Sequence, residues 1–364
     1  MKKIIWIPLI IVIVGVLIAL GGMAAGGPKG FWIDRGGVQL ASTERGNLIS
    51  VDETYTEFKN IEIDADFFDR ITIKEGDAFT VKGQNYERFG GLKVKLEGET
   101  VKVDAKRERR WVIGFGTERW VFNDDLAWLE ITYPKGTKLG DVKGTLSAAR
   151  VYIHGLECKT LYIKDDFGDV DLEDVRAADN LTADLSAGRL KTRNITTTTY
   201  SVSNNFGDAE IEDVQADNMT LDLSAGKLTT KNITATTFSA SNDFGKIDID
   251  GAVANSVTLK LSSGDLSAND VKAGNVTVKS SFGLVSLDRL EFTGVCDVQC
   301  NSGDVNIGVL MNEDALAYDL KTAAGSVSVD GKKMSGSVTN RVSGASADLR
   351  ASADFGSVRL NFLK

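Results

Sequence analysis

One histidine, His154, and three cysteines stand in 364 residues. So little imidazole excludes a metal site built from several histidines and argues against Ser-His or Cys-His catalysis. Three cysteines are an odd number and do not close a disulfide framework. Positive charge is also short: 42 Lys and Arg face 51 Asp and Glu, for a net charge of −9. Phosphate recognition needs clustered cations, so nucleic acid is disfavoured as a partner. Proline occurs only 3 times. Beyond the N-terminal run no capped helical pattern of ten residues occurs, which removes leucine-rich and βαβ readings. Glycine is plentiful at 37 residues, in a chain that is 42% hydrophobic and therefore globular.

Lys2 and Lys3 precede an apolar run from Ile4 to Leu20. As a helix this run is roughly 26 Å long, close to the thickness of a bilayer core. Residues 1–27 read as a transmembrane signal anchor, with Gly22, Ala24 and Gly26 leaving open a signal peptide cut after the run. Either reading puts the body outside the cytoplasm, on a single-pass cell-membrane protein if the anchor is kept. Residues 28–46 read as a juxtamembrane linker.

The body is repetitive. Gly168, Gly188, Gly207, Gly226, Gly245, Gly264, Gly283 and Gly303 recur every 19–20 residues, preceded alternately by Phe and by Ala or Ser. Counting from each of these marker glycines, apolar or small residues fall at +2, +4 and about +7, as in Val170, Leu172 and Val175. A second alternating set falls at −7, −5 and −3, as in Met219, Leu221 and Leu223. Period-2 alternation in a 19-residue unit predicts short strands stacked as coils about 4.8 Å apart. The expected fold is all-β, a single β-solenoid over residues 146–364 carried on an N-terminal transmembrane helix. Cys296 and Cys300 sit at −7 and −3, where other coils carry Val257 and Leu261, and read with Cys158 as structural thiols.

Other columns carry further expectations. At −1, Phe206, Phe244 and Phe282 accompany the small polar −3 residues Asn204, Asn242 and Ser280, whereas Ala187 and Ala225 accompany Leu185 and Leu223. The alternation reads as volume compensation inside the core. The inward asparagines then need hydrogen-bond partners, for which the neighbouring coil's turn is the candidate. Charges alternate in sign at +1 (Asp169, Arg189, Asp208, Lys227) and at +5 (His154, Glu173, Arg193, Glu212, Lys231). They read as ladders that pin register, with His154 as the partner of Glu173. Asn194 and Asn232 read as turn residues. Asp165, Asp166 and Asp169 form a loose cation candidate, although the glycine-rich calcium nonapeptide is absent. No catalytic, cofactor or metal residue is nominated.

Residues 47–145 alternate less regularly and read as a β-rich cap that starts the sheet and shields its edge. Within them Arg107, Arg109, Arg110, Trp111, Phe115, Arg119 and Trp120 mix arginine with aromatics. That mixture suits sugar rings, anionic polymers or a partner surface, but a hairpin packed on the solenoid's end weighs more, since tryptophan is usually mostly buried.

Leu129-Glu130-Ile131-Thr132-Tyr133-Pro134-Lys135-Gly136, followed by the Gly-x-φ-x-φ repeats, resembles the bacterial putative-adhesin family, a domain of unknown function with β-strand repeats. The resemblance covers roughly residues 47–364. It implies an outward-facing domain behind a membrane helix and supplies no catalytic residues. The expected function is a non-enzymatic binding or scaffold module of the cell envelope, with an envelope polymer or a membrane protein as partner. An accessory of envelope-stress sensing is the alternative. A polysaccharide-active β-helix enzyme is a minor one, because the carboxylates sit in regular ladders rather than in a cluster.

Overall fold

The computed structural model describes residues 30–34, 37–40, 47–106, 113–116 and 127–363, with backbone alone at 30–34, 37–40 and 113–116. The fold among them is all-β and solenoid-like. Glu157–Phe167, Val170–Ala187, Leu190–Phe206, Ala209–Ser263 and Leu266–Phe282 pair in parallel, each residue opposite one 19 or 20 positions on. Leu172 thus lies against Thr192, and Thr192 against Ile211. Extended backbone runs unbroken through Ala209–Ser263, which spans successive coils.

The period-2 columns point where the alternation sends them. Val170, Leu172, Val175, Leu181, Ala183 and Leu185 are all buried, and so are their counterparts in the following coils. One continuous apolar core results, each coil covering the next. Cys158, Cys296 and Cys300 are buried free thiols within it. Burial pushes the Cys158 thiol up to about 12.

Two corners shape each coil. At +6, Asp174, Asn194, Asp213, Asn232, Asp270 and Arg289 all hold a left-handed φ of 53–55°. Asn and Asp adopt that region most readily among residues with a side chain. Asn194 Nδ2 donates to Asp174 Oδ1 at 2.5 Å, and Asn232 Nδ2 to Asp213 Oδ1 at 2.9 Å. These are the turn asparagines expected from the repeat. The other corner is the marker glycine. Gly207 has φ of +148°, and a Cβ there would lie 1.9 Å from the Gly188 carbonyl oxygen. The coils close at this corner only if no side chain is present.

Residues ahead of the regular coils begin both faces of the stack. Phe68–Gly76 pairs in parallel with Ala149–His154 and with Trp128–Pro134, and Asn60–Ala65 pairs with Lys138–Leu146. The outermost strands there, Leu48–Tyr55 and Lys93–Glu97, pair antiparallel with Phe79–Tyr86 and Thr100–Ala105. Within the segment read as a linker, Gly30–Asp34 and Gly37–Leu40 form strands. Gly30–Asp34 also pairs with Ile113–Gly116 of the arginine and tryptophan stretch. Among the described residues no helix is long and apolar enough to cross a membrane; the apolar run at 4–20 lies outside them.

At the other end spatial order departs from chain order. Ala347–Phe355 sits between Val295–Ser302 and Leu316–Ala324, and Val358–Phe362 sits between Val305–Val309 and Val327–Val329. The last coil of the sequence is therefore the penultimate coil of the stack. The terminal coil is flanked by the antiparallel strands Lys332–Met334 and Ser337–Asn340.

Candidate binding surface

The outward +5 column forms a continuous charge ladder. His154 Nδ1 lies 3.1 Å from Glu173 Oε2, Arg193 Nη1 lies 3.2 Å from Glu173 Oε1, and Lys231 Nζ lies 3.2 Å from Glu212 Oε1. The expectation for His154 holds. The +1 column works differently. Asp169, Asp208 and Asp265 each accept the backbone N–H of the next coil, at Arg189, Lys227 and Leu284, at 2.8–2.9 Å. Lys227 Nζ lies 3.5 Å from Asp248 instead. At +1, register is thus pinned by carboxylate caps on backbone donors rather than by stacked side-chain pairs.

The inward polar residues find the glycine corner. Asn204 Nδ2 donates to the Gly188 carbonyl at 3.0 Å, and Asn242 Nδ2 to that of Gly226 at 2.9 Å. Asp165 occupies the same −3 position and is wholly buried. Its oxygens accept the N–H groups of Ala149 and Phe167, both at 3.2 Å. Burial nevertheless pushes its carboxyl up to about 7. Asp166 accepts from the Ser186 hydroxyl at 3.3 Å. The three acids offered as a cation candidate are therefore engaged in hydrogen bonds of the coil stack. Among the described residues no group of three or more His, Cys, Asp or Glu is arranged to hold a metal ion.

The −1 column overturns the volume-compensation reading. Phe206 is 67% exposed, Phe244 66%, Phe282 59% and Phe355 67%; Phe167 is 58% exposed. Alternation alone would send these rings inward. At −1, however, the strand has reached the glycine corner, and the side chain clears the end of the core. In register the column reads Phe167, Ala187, Phe206, Ala225 and later Ser263, Phe282, Ser302, Phe355, Ala324. Each ring left in water forgoes roughly 1.5–3 kcal/mol of burial. Scattered exposed apolar residues need no explanation, but a ruled line of them does.

Beside this line lies the outward polar face. Ser262 Oγ donates to Asp243 Oδ1 at 2.9 Å, and the Ser241 hydroxyl donates to Asp222. A shallow groove of about 430 Å³ crosses these coils, with Ser241, Asp243, Lys260, Lys279, Gln299 and Asn301 in its lining. Hydroxyl, amide, ammonium and carboxylate groups thus border a row of aromatic rings.

Of the site residues nominated from sequence, Arg107, Arg109, Arg110, Trp111, Arg119 and Trp120 lie outside the described residues. Phe115 lies in Ile113–Gly116, opposite Phe31 in the small three-stranded sheet. The phenylalanine row was visible in the sequence and assigned to the wrong side. The signal that identifies it is the glycine directly after each ring, which ends the alternation.

Comparison with solved structures gives bacterial matches at low identity and low TM-score. A putative adhesin from Bacteroides fragilis is 13% identical over 87% of this chain and 97% of its own, with a TM-score of 0.33. One from Parabacteroides distasonis is 9% identical over 86% and 97%, with a TM-score of 0.39. A putative lipid binding protein from Parabacteroides distasonis is 12% identical over 88% and 98%, with a TM-score of 0.35. No curated protein matches the chain. The Toastrack DUF4097 family model matches residues 58–236 and again 217–361, so that nearly all of the repetitive body is covered. The chain belongs to the Toastrack DUF4097 family, a domain family of unknown function.

Proposed function

We propose that this chain is a non-enzymatic binding module, adhesin-like, held at a bacterial cell membrane by residues 1–27 with its body outside. One observation carries the binding reading: a regular face of outward polar residues is bordered by a ruled row of exposed phenylalanines. Such a row costs stability unless something covers it. Carboxylates such as Asp169, Asp208 and Asp265 are spent on capping coils, and are spaced by the repeat rather than gathered at one point. This favours recognition over catalysis. The membrane placement rests on Lys2, Lys3 and the apolar run.

The pairing of Ile113–Gly116 with Gly30–Asp34 favours a second use. It ties the arginine and tryptophan stretch to the segment that directly follows the apolar run. That stretch could dock a neighbouring membrane protein, as the sensing-accessory reading requires.

The test uses the full chain with a C-terminal tag. Protease added to intact cells should remove the tag, and the purified chain should co-sediment with isolated cell wall. A tag protected in intact cells overturns the placement. Capture of a membrane protein without wall binding, lost on changing Arg110, Trp111 and Trp120 to Ala, moves the reading to the accessory.

A further inference from the structure

We propose that the phenylalanine row and its polar border form a binding track for an extended, uncharged β-1,4-linked glycan. This rests on the binding-module reading and names the ligand class for it.

The first argument is spacing. Phe206, Phe244, Phe282 and Phe355 stand on every second coil of the stack, separated in register by Ala225, Ser263 and Ser302. Coils lie about 4.8 Å apart, so the rings repeat at roughly 9.6 Å. The same two-coil alternation runs through the core, where buried Tyr200 and Phe238 flank Met219, but along this line the alternating rings face water. Here each ring is set off by a small residue that leaves a gap. A fully extended β-1,4-linked chain turns over at every sugar and presents the same face once per disaccharide. That disaccharide repeat matches two coils in length. Each ring can therefore meet an equivalent apolar sugar face, while the intervening sugar crosses the gap over Ala225, Ser263 or Ser302.

The second argument is the border. Sugar hydroxyls need donors and acceptors within reach of the stacked ring. The groove lined by Asp243 and Ser281, the residues that precede Phe244 and Phe282, also supplies Ser241, Lys279 and Gln299. Sugar recognition commonly joins an aromatic platform to such polar groups, since each ring has an apolar face and the ligand a polar rim.

The third argument is charge. Asp243 and Asp354 directly precede Phe244 and Phe355, and the groove lining sets Lys260 and Lys279 beside its one carboxylate, Asp243, so the border carries both signs. The whole chain carries −9. At that net charge the chain repels an anionic lipid surface or an acidic polymer at long range, whereas an uncharged glycan meets no such repulsion.

The test titrates the full chain with hexasaccharides and trisaccharides of β-1,4-linked N-acetylglucosamine and of β-1,4-linked glucose, read by calorimetry. One hexasaccharide should bind, and at least tenfold more tightly than its trisaccharide, because it reaches three rings where the trisaccharide reaches two. Changing Phe206, Phe244 and Phe282 together to Ala should abolish binding with the melting temperature kept, since all three rings are exposed. Ala225→Phe is the sharper variant. It adds apolar surface but fills the gap, so it should weaken glycan binding at least tenfold. If Ala225→Phe instead strengthens adsorption to phosphatidylglycerol vesicles, or wild type self-associates through the row, a lipid or a second copy is the occupant and the proposal falls. It also falls if neither hexasaccharide binds. Wall binding retained by the triple Ala variant sinks the glycan track but leaves the binding module standing. Absence of wall binding by wild type sinks both.

Discussion

Asp165 gives the most quantitative handle on the stack. It is wholly buried, and its carboxyl is pushed up to about 7 although two backbone N–H groups donate to it. In the unfolded chain an aspartate titrates near about 4. Between those values the folded chain holds a proton that the unfolded chain releases. The stability from this group is therefore fully present below about pH 4 and is lost as pH rises through about 7. Three pH units correspond to roughly 4 kcal/mol, which sets the scale of the penalty at pH 8. Asp165→Asn removes the titration and restores the residue type used at 204 and 242. There the amide donates to the preceding corner carbonyl. The equivalent acceptor is the Ala149 carbonyl, against which Gly168 is packed. Thermal unfolding followed by circular dichroism should show the variant gaining on wild type from pH 5 to pH 8, and clearly ahead of it at pH 8. A difference between the two that stays constant over that window, or changes in the opposite direction, refutes the reasoning.

Other predictions address separate links of the argument. Gly207→Ala places a methyl within bonding distance of the Gly188 carbonyl oxygen and should destabilise by more than about 4 kcal/mol, seen as loss of resistance to limited proteolysis. Tyr200 and Thr192 share a buried hydrogen bond of 2.8 Å, whereas the corresponding Thr230 hydroxyl, in a coil that carries Phe238, has no partner. Thr192→Val should therefore cost about 1–2 kcal/mol and Thr230→Val should be neutral or stabilising, as read from paired denaturant curves. Leu223→Asp buries a charge in the core and should prevent folding; a protease-resistant variant would contradict its inward position. Arg193→Glu sets a third acid between Glu173 and Glu212, yet these groups are partly exposed. Its cost should stay near 1 kcal/mol, with wall binding unchanged.

Much of this fold could be read from the chain because a solenoid repeats its own test. Leu181, Ala183 and Leu185 alone are an ambiguous apolar run. The same spacing at Met219, Leu221 and Leu223 and again at Val257, Leu259 and Leu261 fixes both period and facing. The partner of His154 was legible for the same reason, since Glu173 lies one coil away. The facing of Phe206 was not. Alternation is a property of strand interior, and it fails where the glycine corner takes the side chain past the core's end. The insertion of Ala347–Phe355 between earlier strands was also hidden, because periodicity gives the length of a coil and not its place in the stack. At +1 the sequence shows alternating signs, but hydrogen bonds from Asp208 to the backbone of the next coil depend on distances that spacing does not reveal.

Hydroxyl-radical footprinting of the full chain, with and without isolated cell wall, tests the central claim most directly. Phe206, Phe244, Phe282 and Phe355 should oxidise readily in the free protein while Tyr200 and Phe238, both buried, stay protected. Adding wall should then protect Phe206, Phe244, Phe282 and Phe355 and leave the +5 charge ladder unchanged. Slow oxidation of these phenylalanines in the free chain would contradict the outward assignment. Rapid oxidation unaltered by wall would contradict their role as the binding face.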